Sequence, residues 1–214
     1  MSATRELLIE IGTEELPPLA LRRLAEAFRS GLDRLLTEQH LEHGPSHAWA
    51  SPRRLAVQVK DVPLAQPDRE VVRRGPNMIA AFDDDGNPTK PAEGFARSCG
   101  VPVAELDQLE TDKGSFLAYR AVETGRPAGE VIPGLVEQAL KELPVPRRMR
   151  WSDSEVEFVR PVHWVLLLHG ADTVPAQILG VHTDRYSRGH RFHCNGPIAI
   201  TEPAVYVDTL RDTG

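Results

Sequence analysis

Arg188-Gly189-His190-Arg191-Phe192-His193 places two guanidinium groups, two imidazoles, a flexible glycine and an aromatic ring in six consecutive residues. Positive charge next to an aromatic is the composition of a loop that grips phosphate and stacks a base. Arg53-Arg54 and Arg73-Arg74-Gly75-Pro76 repeat the theme on a smaller scale, and Arg147, Arg148 and Arg150 add a third basic run. From composition alone, a surface of exposed ion pairs explains these clusters equally well.

Other chemistry-bearing groups fit weaker patterns. Glu14 and Glu15, beside Thr13 at a strand end, have the types needed for a general acid and base. They equally complement the positive end of a following helix, and that reading is favoured. His182, His190, His193 and Cys194 fall within thirteen residues, and imidazole and thiolate are zinc ligands. Arg191, between two of those histidines, would set a fixed positive charge beside the dication, so no metal is assigned. Asp83 to Pro88 lacks the ligand register of a calcium loop and reads as an Asp-Gly turn. The glycine-rich phosphate loops and the nucleophile elbow are missing from the sequence, so no catalytic residue is assigned either.

The elements that must position these groups follow from periodicity. Arg5 to Ile11 alternates as a strand with Leu7, Ile9 and Ile11 on one face. From Pro17 to about Gln39, apolar residues recur every three or four positions as in an amphipathic helix. Leu55 to Val59 alternates again, Val71-Val72 forms a short strand, and Asn77 to Phe82 a helical turn. Pro91 to Ser98 is helical and closes at Gly100, and Leu109 to Val122 reads as a hairpin turning at Asp112, Lys113 and Gly114. Gly129 to Leu143 is helical, with Pro133 tolerable in its first turn. Val156 to Val159, Val162 to Leu168, Val174 to Val181 and Ile198 to Ile200 are strand candidates, Trp164 lying in a buried one. A helix opens near Pro203 and is abandoned at Gly214, which predicts a boundary inside a longer protein. Strands and helices mixed without strict alternation predict an α+β layer structure, with mixed sheets and packed helices.

Composition bounds the rest. The 214 residues carry 41% hydrophobic and 26% charged residues, which excludes long disorder and fibrous architectures. No apolar run approaches the length of a bilayer span, and the N-terminus has no signal-peptide pattern. Cys99 and Cys194 cannot build a disulfide framework, which fits a reducing cytoplasm. The net charge is −6, yet residues 145–195 hold seven arginines against five acids. A basic region therefore sits on an acidic chain.

Several runs together resemble one family. They are I-G-T-E-E-L-P-P from Ile11, S-P-R-R-L-A-V from Ser51, R-R-G-P from Arg73 and A-E-G-F-A-R-S-C-G-V from Ala92. T-D-K-G from Thr111, M-R-W from Met149, F-V-R-P-V-H-W from Phe158 and R-G-H-R-F from Arg188 continue the series. In this order they are similar to the beta subunit of the bacterial heterotetrameric glycyl-tRNA synthetase. The resemblance implies an enzyme of two alpha and two beta chains that joins glycine to tRNA(Gly) with ATP and Mg²⁺. The adenylate chemistry would belong to the alpha subunit, so this chain itself would need no cofactor. The beta chain would bind and position tRNA. Residues 1–214 would form its N-terminal region, similar to the editing-type α/β domain of phenylalanyl-tRNA synthetase beta chains. No family catalytic residue carries over. Editing is not inferred, because a pocket for glycine already excludes larger amino acids.

The leading expectation is a module that contacts tRNA and assembles the tetramer in the cytoplasm. Its candidate contacts are Arg53, Arg54, Arg73, Arg74, Arg147, Arg148, Arg150, Arg188, His190 and Arg191. Two alternatives stand beside it. One is a hydrolytic editing-type domain using Glu14, Glu15 or His190, and the other is a scaffold whose arginines only pair with acidic neighbours.

Overall fold

A computed structural model describes residues 3–83, 85–112, 114–145, 147–151, 156–190, 194 and 196–213. The chain divides into two compact units, residues 1–66 with 126–214, and residues 67–125. The first unit opens with strand β1 (Thr4–Thr13), a 3-10 turn (Pro18–Ala20), helix α1 (Leu21–Glu38), β2 (Ser46–Ser51) and β3 (Arg54–Pro63). The second holds β4 (Arg69–Asn77), α2 (Met78–Ala81), α3 (Lys90–Cys99), β5 (Asp107–Thr111) and β6 (Gly114–Glu123). The first unit resumes with α4 (Ala128–Lys141), β7 (Met149–Arg150), β8 (Glu157–Phe158), β9 (Val162–His169) and β10 (Asp172–Thr173). It ends with β11 (Gln177–Ile178), β12 (Val181–Asp184), β13 (Tyr186–Arg188), β14 (Pro197–Ala199) and α5 (Tyr206–Asp212).

The first unit is built on one mixed sheet in the order β11-β12-β9-β1-β3-β2, with β10 also pairing β9. β1 lies antiparallel to both β3 and β9, while β12 runs parallel to β9. This is the expected α+β class with mixed sheets and helices. The alternation in β1 sends Leu7, Ile9 and Ile11 into a core with Phe28 and Leu32 of α1 and Ile132 and Val136 of α4. Each such side chain, fully buried, stabilises by roughly 1.5–3 kcal/mol. The opposite face is not solvated. Leu8 packs there with Ala56, Leu166, Leu168, Ile198, Ile200 and Tyr206, so β1 is buried on both faces.

Several elements depart from the sequence reading for identifiable reasons. The single strand expected over Val174 to Val181 is broken. Pro175 offers no amide to a ladder, and Leu179 and Gly180 take φ of 49° and 80°, which turns β11 back on β12. Pro133 sits in the second turn of α4, not its first, because the helix starts at Ala128. The favoured helix-complementing role of Glu14 and Glu15 does not occur. No side chain caps the 3-10 turn or α1, and Glu14 turns to the sheet instead.

In the second unit, β4, β6 and β5 form an antiparallel sheet in that order. Ala81, Ala92 and Leu117 make its small core, with Phe82 and Phe95 packed against them. The Asn77 side chain accepts from the Ile79 amide at 3.0 Å and starts α2. Gly100, at φ 73°, closes α3 as the sequence indicates. Asp83 folds the following turn, accepting from the Asn87 amide at 2.7 Å. Lys113 in the expected hairpin turn lies outside the described residues. Among the described residues, no helix is long and apolar enough to cross a membrane.

Candidate functional site

Glu10 stands at the middle of β1 with no exposed surface. A buried carboxylate is tolerated only when donors replace its water. Here they come from four elements. Trp164 of β9 donates through Nε1 at 2.5 Å, Ser187 of β13 through its hydroxyl at 2.7 Å, and Tyr206 of α5 through its phenol at 2.5 Å. The Nε of Arg54, on β3, lies 3.4 Å from the same carboxylate. Burial raises the Tyr206 phenol well above its ordinary pKa, and the adjacent Glu10 charge raises it further. The phenol therefore stays protonated and remains a donor.

Two further contacts carry this order to the surface. Gly12 faces Trp164 across the β1–β9 ladder, and a Cβ there would fall 1.9–2.3 Å from three atoms of the indole. The ring thus lies against β1 only because residue 12 is glycine. Arg54 also donates through a terminal guanidinium nitrogen to the carbonyl of Arg188, fixing the end of β13.

Above this base opens a cleft of about 810 Å³, lined among others by Arg53, Arg54, His163, Trp164, Arg188 and His190. Glu15 and Cys194 also border it. Glu14 accepts from His163 Nε2 at 2.8 Å and lies 3.6 Å from the Arg53 guanidinium. Arg53 also donates to the Thr13 carbonyl at 3.3 Å. Arg188 is exposed, and among the described residues no carboxylate pairs with its guanidinium. The cleft combines cationic groups, an aromatic surface and a carboxylate-held imidazole, a chemistry suited to an anionic ligand with flat rings.

The structure thus gathers Arg53, Arg54, Arg188 and His190 in one place, separate in sequence by more than a hundred residues. Two of these guanidinium groups are already engaged within the protein, that of Arg54 by Glu10 and the Arg188 carbonyl and that of Arg53 by Glu14 and the Thr13 carbonyl. The other candidates lie elsewhere. Arg73 and Arg74 belong to β4 of the second unit, where the Arg74 guanidinium sits 3.7 Å from the Phe116 ring centroid. Arg148 donates to the last carbonyls of α4, a helix-end partner, and Arg150 pairs with Glu157 at 2.8 Å. Arg147 is exposed. Arg191, Phe192 and His193 lie outside the described residues. Among the described residues, no three His, Cys, Asp or Glu side chains converge as a metal would need. Sequence reasoning missed Glu10, Gly12 and His163. The one available signal was a glutamate flanked by isoleucines in a strand.

Fold and site together define an α+β chain that displays a cationic, aromatic-floored cleft on a buried carboxylate. Its family follows from comparison: the chain belongs to the glycyl-tRNA synthetase beta subunit family, whose profile matches residues 7–214. It is 48% identical over 212 residues to the glycine-tRNA ligase beta subunit of Marinobacter nauticus, covering 99% of this chain and 31% of that protein. With the same subunit of Chromohalobacter salexigens it shares 50% over 210 residues, 98% of this chain and 30% of the other. With that of Hahella chejuensis it shares 49% over 210 residues, again 98% and 30%. The chain therefore spans about 30% of the length of these relatives.

Proposed function

We propose that this chain is the N-terminal region of the beta subunit of a glycyl-tRNA synthetase, which attaches glycine to tRNA(Gly) using ATP and Mg²⁺. In this reading the region binds and positions tRNA and helps assemble two alpha and two beta chains in the cytoplasm. The adenylate chemistry belongs to the alpha subunit, and this chain supplies binding groups only. Family membership supports the reading, as do two free cysteines. The likeness to the editing-type domain of phenylalanyl-tRNA synthetase beta chains belongs to the same proposal, supported by the mixed sheet with helices on its face.

The observation that carries the proposal is the cleft uniting Arg53, Arg188 and His190. Phosphate contacts of this kind position a nucleic acid without reading its sequence. The test is tRNA(Gly) binding by the assembled alpha and beta subunits across a salt series. Arg188→Ala is expected to weaken binding and flatten the log–log salt slope by about 0.9 for one lost phosphate contact. Unchanged affinity and slope would remove Arg188 from the interface. A second reading, hydrolysis of misacylated tRNA, is favoured by one contact, the Glu14–His163 pair, whose imidazole borders the cleft. It requires deacylation that His163→Gln abolishes, and equal deacylation by both proteins rejects it.

A further inference from the structure

We propose that the Trp164 indole is a stacking platform for an unpaired base of the tRNA 3′ end, an inference that rests on the tRNA reading above. Three observations converge on this ring. Its position is fixed on one side, because Gly12 leaves no Cβ where the indole lies. Its orientation is fixed at the edge, because Nε1 donates to the buried Glu10 carboxylate at 2.5 Å. It nevertheless lines the cleft, and among the described residues no aromatic ring pairs with it.

A tryptophan that served packing alone would bury both faces, and any neutral acceptor would satisfy its N–H without a buried carboxylate. Here a fully buried carboxylate, held also by Ser187, Tyr206 and Arg54, fixes the edge of a ring that lines a cleft. Arg53 and Arg188 border the same space, so a base on the indole would have cationic partners for its flanking phosphates. Aromatic platforms beside a cationic groove bind single strands, because every base has a stacking face and only an unpaired base can present it. Base-paired segments of the tRNA offer no free base face, and of its unpaired segments the 3′ terminus is the one that carries the glycine in the reaction proposed above.

The test uses the full-length beta subunit assembled with its alpha subunit, and two probes: intact tRNA(Gly), and the same tRNA trimmed of its unpaired 3′ nucleotides. Trp164→Leu is expected to weaken intact tRNA roughly tenfold, within the range found for losing one stacked base, at an unchanged salt slope. The trimmed tRNA is expected to bind wild type and variant alike. Trp164→Phe, which keeps a ring, is expected to recover most of the loss. Intact tRNA should also quench a fraction of the wild-type tryptophan fluorescence that is missing in Trp164→Phe, a readout that holds even if Trp164→Leu fails to assemble.

Equal affinity of wild type and Trp164→Leu for intact tRNA would overturn the platform while leaving the tRNA reading in place. So would equal weakening of intact and trimmed tRNA, the mark of a structural role or of a base outside the 3′ end. Absence of binding by the wild-type complex would overturn both readings.

Discussion

Glu10 makes its demands one donor at a time. Trp164, Ser187, Tyr206 and Arg54 all present hydrogens or charge to two oxygens that never meet water. Glu10→Gln keeps the shape but turns an amide donor toward other donors and leaves Arg54 without its counter-charge. Unfolding in urea should show a loss on the order of 3 kcal/mol. A second residue-scale prediction concerns Gly12. Gly12→Ala drives a methyl into an indole that cannot move without abandoning Glu10, so a loss of about 1–3 kcal/mol by thermal melt is expected. A wild-type melting temperature in that variant would mean the ring is free to shift. Neither residue was legible beforehand. Period-two alternation assigned Glu10 to a polar face, and only the apolar cover contributed by Ile198, Ile200 and Tyr206 from the far end of the chain makes that face interior. The basic residues of the cleft were legible as types, because charge next to glycine and aromatics is visible locally.

Elements carry these residues into register, and β13 shows how. Its serine reaches down to Glu10 while the Arg188 carbonyl is held by Arg54, so the cleft rim is tied to the sheet from both directions. Arg54→Gln is therefore expected to weaken tRNA binding with the salt slope intact, since the guanidinium it removes is engaged by Glu10 and the Arg188 carbonyl. Arg188→Ala should flatten the slope by about one contact's worth. A flattened slope in Arg54→Gln would make Arg54 a direct contact after all. At the opposite end of β9, His169 donates through Nε2 to the Val62 carbonyl of β3 at 3.1 Å. Burial lowers its pKa below 6.5; the carbonyl partly opposes this, nearby Arg5 adds to it and Asp172 offsets it. The unfolded chain therefore takes up this proton more readily than the folded one. The stability this group supports is present above pH 6.5 and is lost as pH falls. Melting at pH 7.5 and pH 5 should show a drop that His169→Gln reduces, and an equal drop in both proteins would assign the pH dependence to other groups. Long periodic elements such as β1, α1, α4 and β9 could be read from the sequence. β2 could not, because Ser-His-Ala-Trp-Ala-Ser carries no aliphatic alternation and becomes a strand only by pairing with β3.

At the scale of the whole molecule, the sequence order conceals the organisation. The second unit occupies residues 67–125, and the first unit closes around that gap with its own bonds. Gln66 donates to the Arg126 carbonyl at 2.9 Å, Ala128 donates to the Leu64 carbonyl at 2.8 Å, and Ala65 lies opposite Pro127. Two chain ends held this close need little linker to join them, and closing a short loop carries a small entropic penalty. Composition gave no hint of this, since the connections lack the glycine- or serine-rich runs that mark flexible linkers. Replacing residues 67–125 by a short Gly-Ser turn between Gln66 and Arg126 should therefore leave a chain that still melts in one cooperative step. The core that α1, α4 and β1 share lies wholly within the retained residues, as do Glu10, Arg54, Trp164 and Arg188. Circular dichroism and a thermal melt on the shortened chain check the fold, and the Tyr206 phenol supplies a local probe. Buried against Glu10, it should resist ionisation in an alkaline spectrophotometric titration well above the normal tyrosine range, as in the intact chain. A shortened chain with a broad melt and a normally titrating Tyr206 would show that the sheet needs residues 67–125 to form. A sharp melt with Tyr206 still protected would show that residues 67–125 are dispensable for the fold on which the cleft is built.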